Sequence, residues 1–235
     1  MKTTTSLNFG HPPETIEFWK RLVREALSLS PATPFYLFSA QPIAERITEL
    51  DTALNGAGFK SAIENRQSKI AFRHWLSCKT QPVAPLLKWW RGQGRPIEIV
   101  SEFELRAALA EGFAPENILV NGPAKHHWLS QFKLRELSVN FDSLAEIAAL
   151  LPLAKKLNWR CGVRINTSEE FDPENPQFPT QFGFTPDETV TGIKKLLRAK
   201  VRMETVHFHL RTNLQSAQIY QRAIAEIAEV CRAAK

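Results

Sequence analysis

The sequence predicts an α/β protein built on a parallel sheet, and three observations carry that expectation. From about residue 70 onward, short β-rich runs alternate with longer helical patterns, the signature of βαβ units. Ser101-Glu-Phe-Glu104 and Ser143-Leu-Ala-Glu146 have the capping-box spacing, in which the serine covers an orphan amide and the glutamate reaches back. Thr185-Pro-Asp-Glu188 adds a proline at the first helical position. All three helix starts fall where the alternation requires them.

The elements before residue 70 follow a different order. Residues 14–29 read as an amphipathic helix, residues 33–38 (Thr-Pro-Phe-Tyr-Leu-Phe) as a strand, and residues 42–54 as a second helix closed by Gly56-Ala-Gly58. Beyond it, strands are expected at 70–78, 97–100, 118–120, 137–140, 160–165 and 204–209, with helices between them and an alanine-rich last helix over 216–234. Between Ile165 and Thr185 the chain has no period and carries Pro173, Pro176 and Pro179. A loop of that length inside a compact domain is usually functional or disordered.

Composition narrows the function classes. With 235 residues and 43% hydrophobic content, the chain can bury one large core or two small ones. The first ten residues contain a lysine but no apolar segment or cleavage site, so no secretory signal is expected. No run approaches the roughly 18–20 apolar residues of a membrane-spanning helix, and a soluble, cytoplasmic protein is expected. Cys78, Cys161 and Cys231 are far apart and in no C-x-x-C arrangement, which argues against a disulfide framework and a zinc site. The net charge of +6 is scattered among acids without a basic block, so nucleic acid is not an expected partner. A basic excess suits a pocket for a phosphorylated ligand, or reflects an acidic part of the molecule lying elsewhere.

The chemistry-bearing residues sit at the ends of the β-rich runs. Lys79 follows the run Ile70-Ala-Phe-Arg-His-Trp-Leu-Ser-Cys78, and further polar residues end the runs downstream. A lone lysine after a strand is most often a solvated terminus. Glu104 is explained as a helix cap by its spacing from Ser101. His207 and His209 share one strand face and could bind a metal, but no third ligand stands at a fixed spacing, so no metal site is expected. Arg164 by itself reads equally well as the partner of a core carboxylate.

Taken together, the runs resemble the alanine-racemase-like barrel of pyridoxal-phosphate enzymes, in the branch of diaminopimelate, ornithine and arginine decarboxylases. The resemblance extends from about residue 33 to the end. It rests on Thr33-Pro-Phe-Tyr36, Lys79-Thr-Gln-Pro82, Glu98-Ile-Val-Ser-Glu-Phe-Glu-Leu105, Asn121-Gly-Pro-Ala-Lys125, Asn140-Phe-Asp-Ser143, Gly162-Val-Arg-Ile-Asn166, Gln181-Phe-Gly183 and His207-Phe-His209. These segments occur in the family's order. The fold so implied is a TIM-type (β/α)8 barrel, here incomplete with about six strands, over residues 61–235, preceded by a lead segment, 1–60, packing on it. In such barrels the reactive groups converge where strands meet their following loops.

The resemblance implies pyridoxal 5'-phosphate as cofactor and a small amino acid as substrate. Lys79 matches the lysine that forms the internal Schiff base, His209 the histidine lying flat on the cofactor ring, Arg164 the arginine near its phenolic oxygen, and Glu98 an acidic residue of the pocket. The family's glycine-serine pair near the cofactor phosphate is replaced by Arg211-Thr212; Thr212 keeps a hydroxyl, and Arg211 either binds an anion or crowds the site. Gln181 replaces a commoner lysine, and Cys78 a small apolar residue. Family members continue with a glycine-rich phosphate loop, an acidic partner for the ring nitrogen, further strands and a β-domain. The expectation is therefore a decarboxylase barrel portion that is a poor catalyst alone and a homodimer when completed by a C-terminal domain. A non-catalytic cofactor-homeostasis barrel and an inactive partner of an intact paralogue are the alternatives.

Overall fold

A computed structural model of the protein describes residues 12–61, 71–170, 182–210, 214 and 216–235. The chain forms two compact units, residues 1–50 and 51–235. The first unit contains α1 (Pro13–Ser28) and most of α2 (Gln41–Gly56). A proline opens α1 at its first turn, where a missing amide costs nothing.

The second unit is organised by one parallel sheet. Two short strands, β1 (Lys60–Ser61) and β2 (Ala71–Phe72), pair with each other in a separate ladder. The main sheet then contains β3 (Leu76–Ser77), β4 (Ile97–Ile99), β5 (Ile118–Val120), β6 (Ser138–Phe141), β7 (Arg160–Ile165) and β8 (Arg202–Phe208). All neighbours are parallel and the spatial order is the chain order. An unreversed order of this kind belongs to a singly wound, barrel-type sheet, whereas a doubly wound sheet reverses at a switch point.

Alternation along the strands separates two faces. Ile97 and Ile99, Ile118 and Val120, Val139 and Phe141, and Val163 and Ile165 are fully buried. The intervening positions bring Ser77, Glu98, Asn140, Arg164 and His207 to the opposite face, because successive side chains of a strand point opposite ways. Between the strands lie α3 (Ala84–Gly92), α4 (Glu102–Ala110), α5 (Leu144–Lys156) and α6 (Pro186–Arg198), and α7 (Gln218–Ala233) follows β8. Two buried tryptophans tie loops to this core: Trp90 Nε1 donates to the Pro96 carbonyl at 2.7 Å, and Trp159 Nε1 to the Leu134 carbonyl at 2.8 Å.

The helix starts follow the sequence signals, with one difference. At α6 the box is complete: Glu188 N–H donates to Thr185 Oγ1 at 3.3 Å, and Thr185 N–H to Glu188 Oε2 at 3.0 Å. At α4 and α5 the serines accept as expected, but each glutamate reaches one residue further back, accepting from Val100 N–H at 2.8 Å and from Asp142 N–H at 2.9 Å. Both glutamates thus bind the last residues of the preceding strand region.

Other expectations are corrected. The expected strand at 70–78 is broken: Ile70 lies outside the described residues, and β2 and β3 belong to different sheets. Residues 33–38 form no strand, because no ladder partner lies beside them among the described residues, and Tyr36 is almost fully exposed. The strand expected at 204–209 begins earlier, at Arg202, and ends at Phe208. Most of the proline-bearing segment, residues 171–181 with Gln181, lies outside the described residues.

Candidate active site

The polar face of the sheet opens into a cavity of about 670 Å³ at the strand ends, lined among others by Lys79, Glu98, Arg164, His207 and His209. Lys79 stands in the 3-10 turn (Cys78–Thr80) that leaves β3, with Cys78 buried behind it and its own side chain exposed. The alternation of the strand carries on into this turn, so that Cys78 faces the core and Lys79, like Ser77, faces the cavity. Burial pushes the Cys78 thiol up to about 11, and the carboxylates of Glu104 and Glu98 add to the shift.

Glu98, at the middle of β4, is held by its neighbours on both sides. Ser77 Oγ donates to Glu98 Oε2 at 2.6 Å and Asn121 Nδ2 donates to Glu98 Oε1 at 3.1 Å. Asn121 in turn accepts from Asn140 Nδ2 at 2.8 Å through its Oδ1. Each donor in this row is dictated by the acceptor beside it: a carboxylate has only acceptors to offer, so Asn121 must present its amide nitrogen and Asn140 must do the same in turn. The row ends at Asn140 Oδ1, which has no hydrogen-bond partner among the described residues.

On the far side of the cavity, β7 and β8 place Arg164 beside His207 in register. The Arg164 guanidinium lies 5.0 Å from the centroid of the Phe182 ring, and its Nη1 is 3.8 Å from Asp142 Oδ1. Burial lowers the His207 imidazole to about 4, reinforced by the cation of Arg164, by coupling to the titration of His209, and by the cations of Lys79 and Lys125. His209 is lowered as well, by burial first and then by Arg164 and Lys79, with Glu98 opposing. Both imidazoles are therefore kept neutral in a cavity already rich in positive charge. Among the described residues no group of three or more His, Cys, Asp or Glu side chains could hold a metal ion.

Four of the six site residues expected from the sequence, Lys79, Glu98, Arg164 and His209, come together on this one cavity. The other two, Arg211 and Thr212, lie outside the described residues. Arg164 lines the cavity and also pairs with the core carboxylate of Asp142. Sequence reasoning did not single out Ser77, Phe182 or Asp142, nor the binding roles of Asn121 and Asn140. For Asn121 and Asn140 a signal existed in their position at strand ends, whereas Asp142 is recognisable only from its contacts.

A buried ion pair supports the floor of this region. Lys125 and Glu146, both almost wholly inaccessible, meet at 2.5 Å, and Glu146 also accepts from the Lys125 and Asp142 amides at 3.1 and 2.9 Å. Burial pushes the Lys125 ammonium down, and the Glu146 carboxylate opposes that shift.

The cavity dimensions and donor set fit a pyridoxal phosphate: a primary amine at the rim, a neutral imidazole and a guanidinium across from it, and a carboxylate held by two donors. Comparison with known proteins bears on the same chemistry. The sequence profile of the pyridoxal-binding domain of pyridoxal-dependent decarboxylases matches residues 59–235. The diaminopimelate decarboxylase of Zymomonas mobilis is 24% identical over 211 residues, covering 86% of this chain and 48% of the relative. The crystal structure of Helicobacter pylori diaminopimelate decarboxylase complexed with L-lysine superposes with a TM-score of 0.69 at 22% identity, covering 89% of this chain and 52% of that one. Lysine/ornithine decarboxylase from Vibrio vulnificus, complexed with cadaverine, gives 0.55 at 15% identity over 68% and 41%. The chain spans about half the length of the curated relatives it matches, and its six strands form part of a TIM-barrel-like fold. The chain belongs to the pyridoxal-dependent decarboxylases, and residues 59–235 are its match to their pyridoxal-binding domain.

Proposed function

We propose that residues 61–235 form the cofactor-binding portion of a decarboxylase acting on a small amino acid of the diaminopimelate or ornithine type. Pyridoxal 5'-phosphate supplies the electron sink for the carbanion left when carbon dioxide departs. Lys79, at the cavity rim, holds the cofactor through its Nζ. His209 offers a neutral ring face, and Arg164 a fixed cation for the cofactor's oxygen. Glu98, held by Ser77 and Asn121, gives the cavity a carboxyl group that can accept from protonated groups. By the family resemblance Thr212 keeps a hydroxyl for the phosphate side, and Arg211 either binds an anion there or crowds the site.

The observation that carries this reading is the convergence of Lys79, Glu98, Arg164 and His209 from four different strand regions on one cavity. The relatives support the substrate class: that of Zymomonas mobilis is a diaminopimelate decarboxylase, and the similar solved structures hold L-lysine or cadaverine.

The test is a visible absorption titration of the purified chain with pyridoxal phosphate, followed by borohydride reduction and peptide mapping. A protein-bound band, with the pyridoxyl group fixed on the peptide containing Lys79 and lost in Lys79→Ala, is expected. Labelling elsewhere, or none, rejects Lys79 as the anchor. Binding without decarboxylation of diaminopimelate, ornithine, lysine or arginine would favour a cofactor-holding protein instead.

A further inference from the structure

One carboxylate connects the two groups that hold the cavity arginine. Asp142 is buried, its side chain only 5% exposed, at the end of β6. Its Oδ2 accepts from the Gly183 amide at 2.9 Å, and its Oδ1 faces Arg164 Nη1 at 3.8 Å. Gly183 directly follows Phe182, whose ring lies against the guanidinium. Phe184 continues the same segment, with its amide donating to the Arg164 carbonyl at 2.8 Å and its carbonyl accepting from Asn166 at 2.8 Å. The segment 182–184 is therefore clamped to β7 by its backbone and to β6 by Asp142.

Gly183 makes this arrangement possible. Its φ is +86°, a region that L side chains avoid, and a Cβ there would lie 2.9 Å from the Arg164 carbonyl oxygen. Asp142 is itself fixed: its amide donates to Glu146 Oε2, and Glu146 is locked by Lys125. Among the described residues its Oδ1 has no hydrogen-bond partner, and the Arg164 guanidinium at 3.8 Å, with the more indirect charge of Lys125, is what compensates that buried oxygen. A buried carboxylate in that position restrains the cation electrostatically.

We propose that Asp142 is a positioning residue, which holds Arg164 and the Phe182–Gly183 segment as one unit against the cavity and thereby sets the affinity for pyridoxal phosphate. This rests on the role given to Arg164 above. It assigns Asp142 no contact with the cofactor, so its effect must pass through Arg164.

The experiment is a double-mutant cycle on the full chain, with pyridoxal phosphate affinity measured by titration for the wild type, Asp142→Asn, Arg164→Met and the double variant. Asp142→Asn keeps an acceptor for the Gly183 amide while removing the charge and the oxygen that faces Arg164. Affinity is expected to fall about tenfold in Asp142→Asn, and the same substitution should change nothing further once Arg164 is methionine. An effect of equal size in both backgrounds, or no effect in either, overturns the proposal.

A second readout needs no cofactor and separates this proposal from the functional reading. The Arg164 guanidinium 15N resonances, assigned by their loss in Arg164→Met, should be resolved and slowly rotating in the wild type and should join those of surface arginines in Asp142→Asn. A wild type that binds no pyridoxal phosphate yet shows this change rejects the functional reading and leaves the positioning role standing. An unchanged resonance rejects the positioning role. Should Asp142→Asn fail to fold, Asp142→Ser takes its place; failure of both would overturn the proposal by showing that Asp142 serves the fold as a whole.

Discussion

Gly162 on β7 lies directly against the side-chain amide of Asn140 on β6: a Cβ at position 162 would stand 2.1 Å from Asn140 Oδ1. The same Cβ would come within 2.8 Å of the Thr205 carbonyl oxygen and Cβ on β8. The missing side chain is what lets Asn140 reach across and donate to Asn121, and so lets Asn121 donate to Glu98.

Gly162→Ala is therefore expected to destabilise the protein by about 2–3 kcal/mol, since both backbone and buried amide must shift. It should also weaken cofactor binding by disturbing the row that ends on Glu98. Urea unfolding followed by tryptophan fluorescence measures the first effect, and the absorption titration the second. An alanine variant with an unchanged midpoint would show that β7 and β8 separate easily at this point.

The Lys125–Glu146 pair predicts an asymmetric response to mutation. Lys125→Met leaves a buried carboxylate without its counter-ion and should cost about 3–5 kcal/mol. Adding Glu146→Gln removes the stranded charge while keeping an acceptor for the Asp142 amide, so the double variant should recover part of that loss. Chemical denaturation of the two variants gives the comparison; a double variant less stable than Lys125→Met would contradict it.

His207 predicts a slope in stability with pH. Its folded value is depressed to about 4 from an ordinary 6.5, so between those values the unfolded chain binds more protons than the native one. Stability from this group is fully present above about pH 6.5 and is lost as pH falls toward 4, by on the order of 3 kcal/mol at most. His207→Gln should flatten that part of the profile while leaving carboxylate titrations in place. Denaturant midpoints at half-unit pH steps test it, and a slope equally steep in the variant would assign the effect to other groups.

Thiol reactivity should divide the cysteines. Cys78 and Cys161 are buried, and burial holds their thiols at about 11 and about 12, whereas Cys231 is partly exposed on α7. Under native conditions near pH 8, an alkylating reagent should add a single label, at Cys231, with all three labelled in denaturant. Rapid native labelling of Cys78 would mean that the turn carrying Lys79 opens readily.

The residues of the candidate site were legible in the sequence to the extent that they belong to strand ends. Period-2 alternation places Glu98, Arg164 and His207 on one face of their strands, and the capping serines mark where each helix must begin. Residues 33–38 show where such reading fails. Their β-rich composition describes a segment able to extend, but a strand exists only when a neighbour completes its ladder, and none does so here among the described residues. The run 70–78 likewise reads as one strand, yet its two halves pair with different neighbours.

What the sequence by itself determined is local: the helix starts, the parallel alternation from residue 70, and the polar side chains that end the β-rich runs, with Lys79 foremost. Hydrophobic periodicity and capping chemistry act over a few residues, so the order of residues suffices to express them. Only the tertiary structure decided that Asn140 supports Asn121, that Lys125 is buried against Glu146, and that Asp142 joins Arg164 to Gly183. Those contacts span 19 to 41 positions of chain. They depend on strand register, which is set by the packing of the whole sheet.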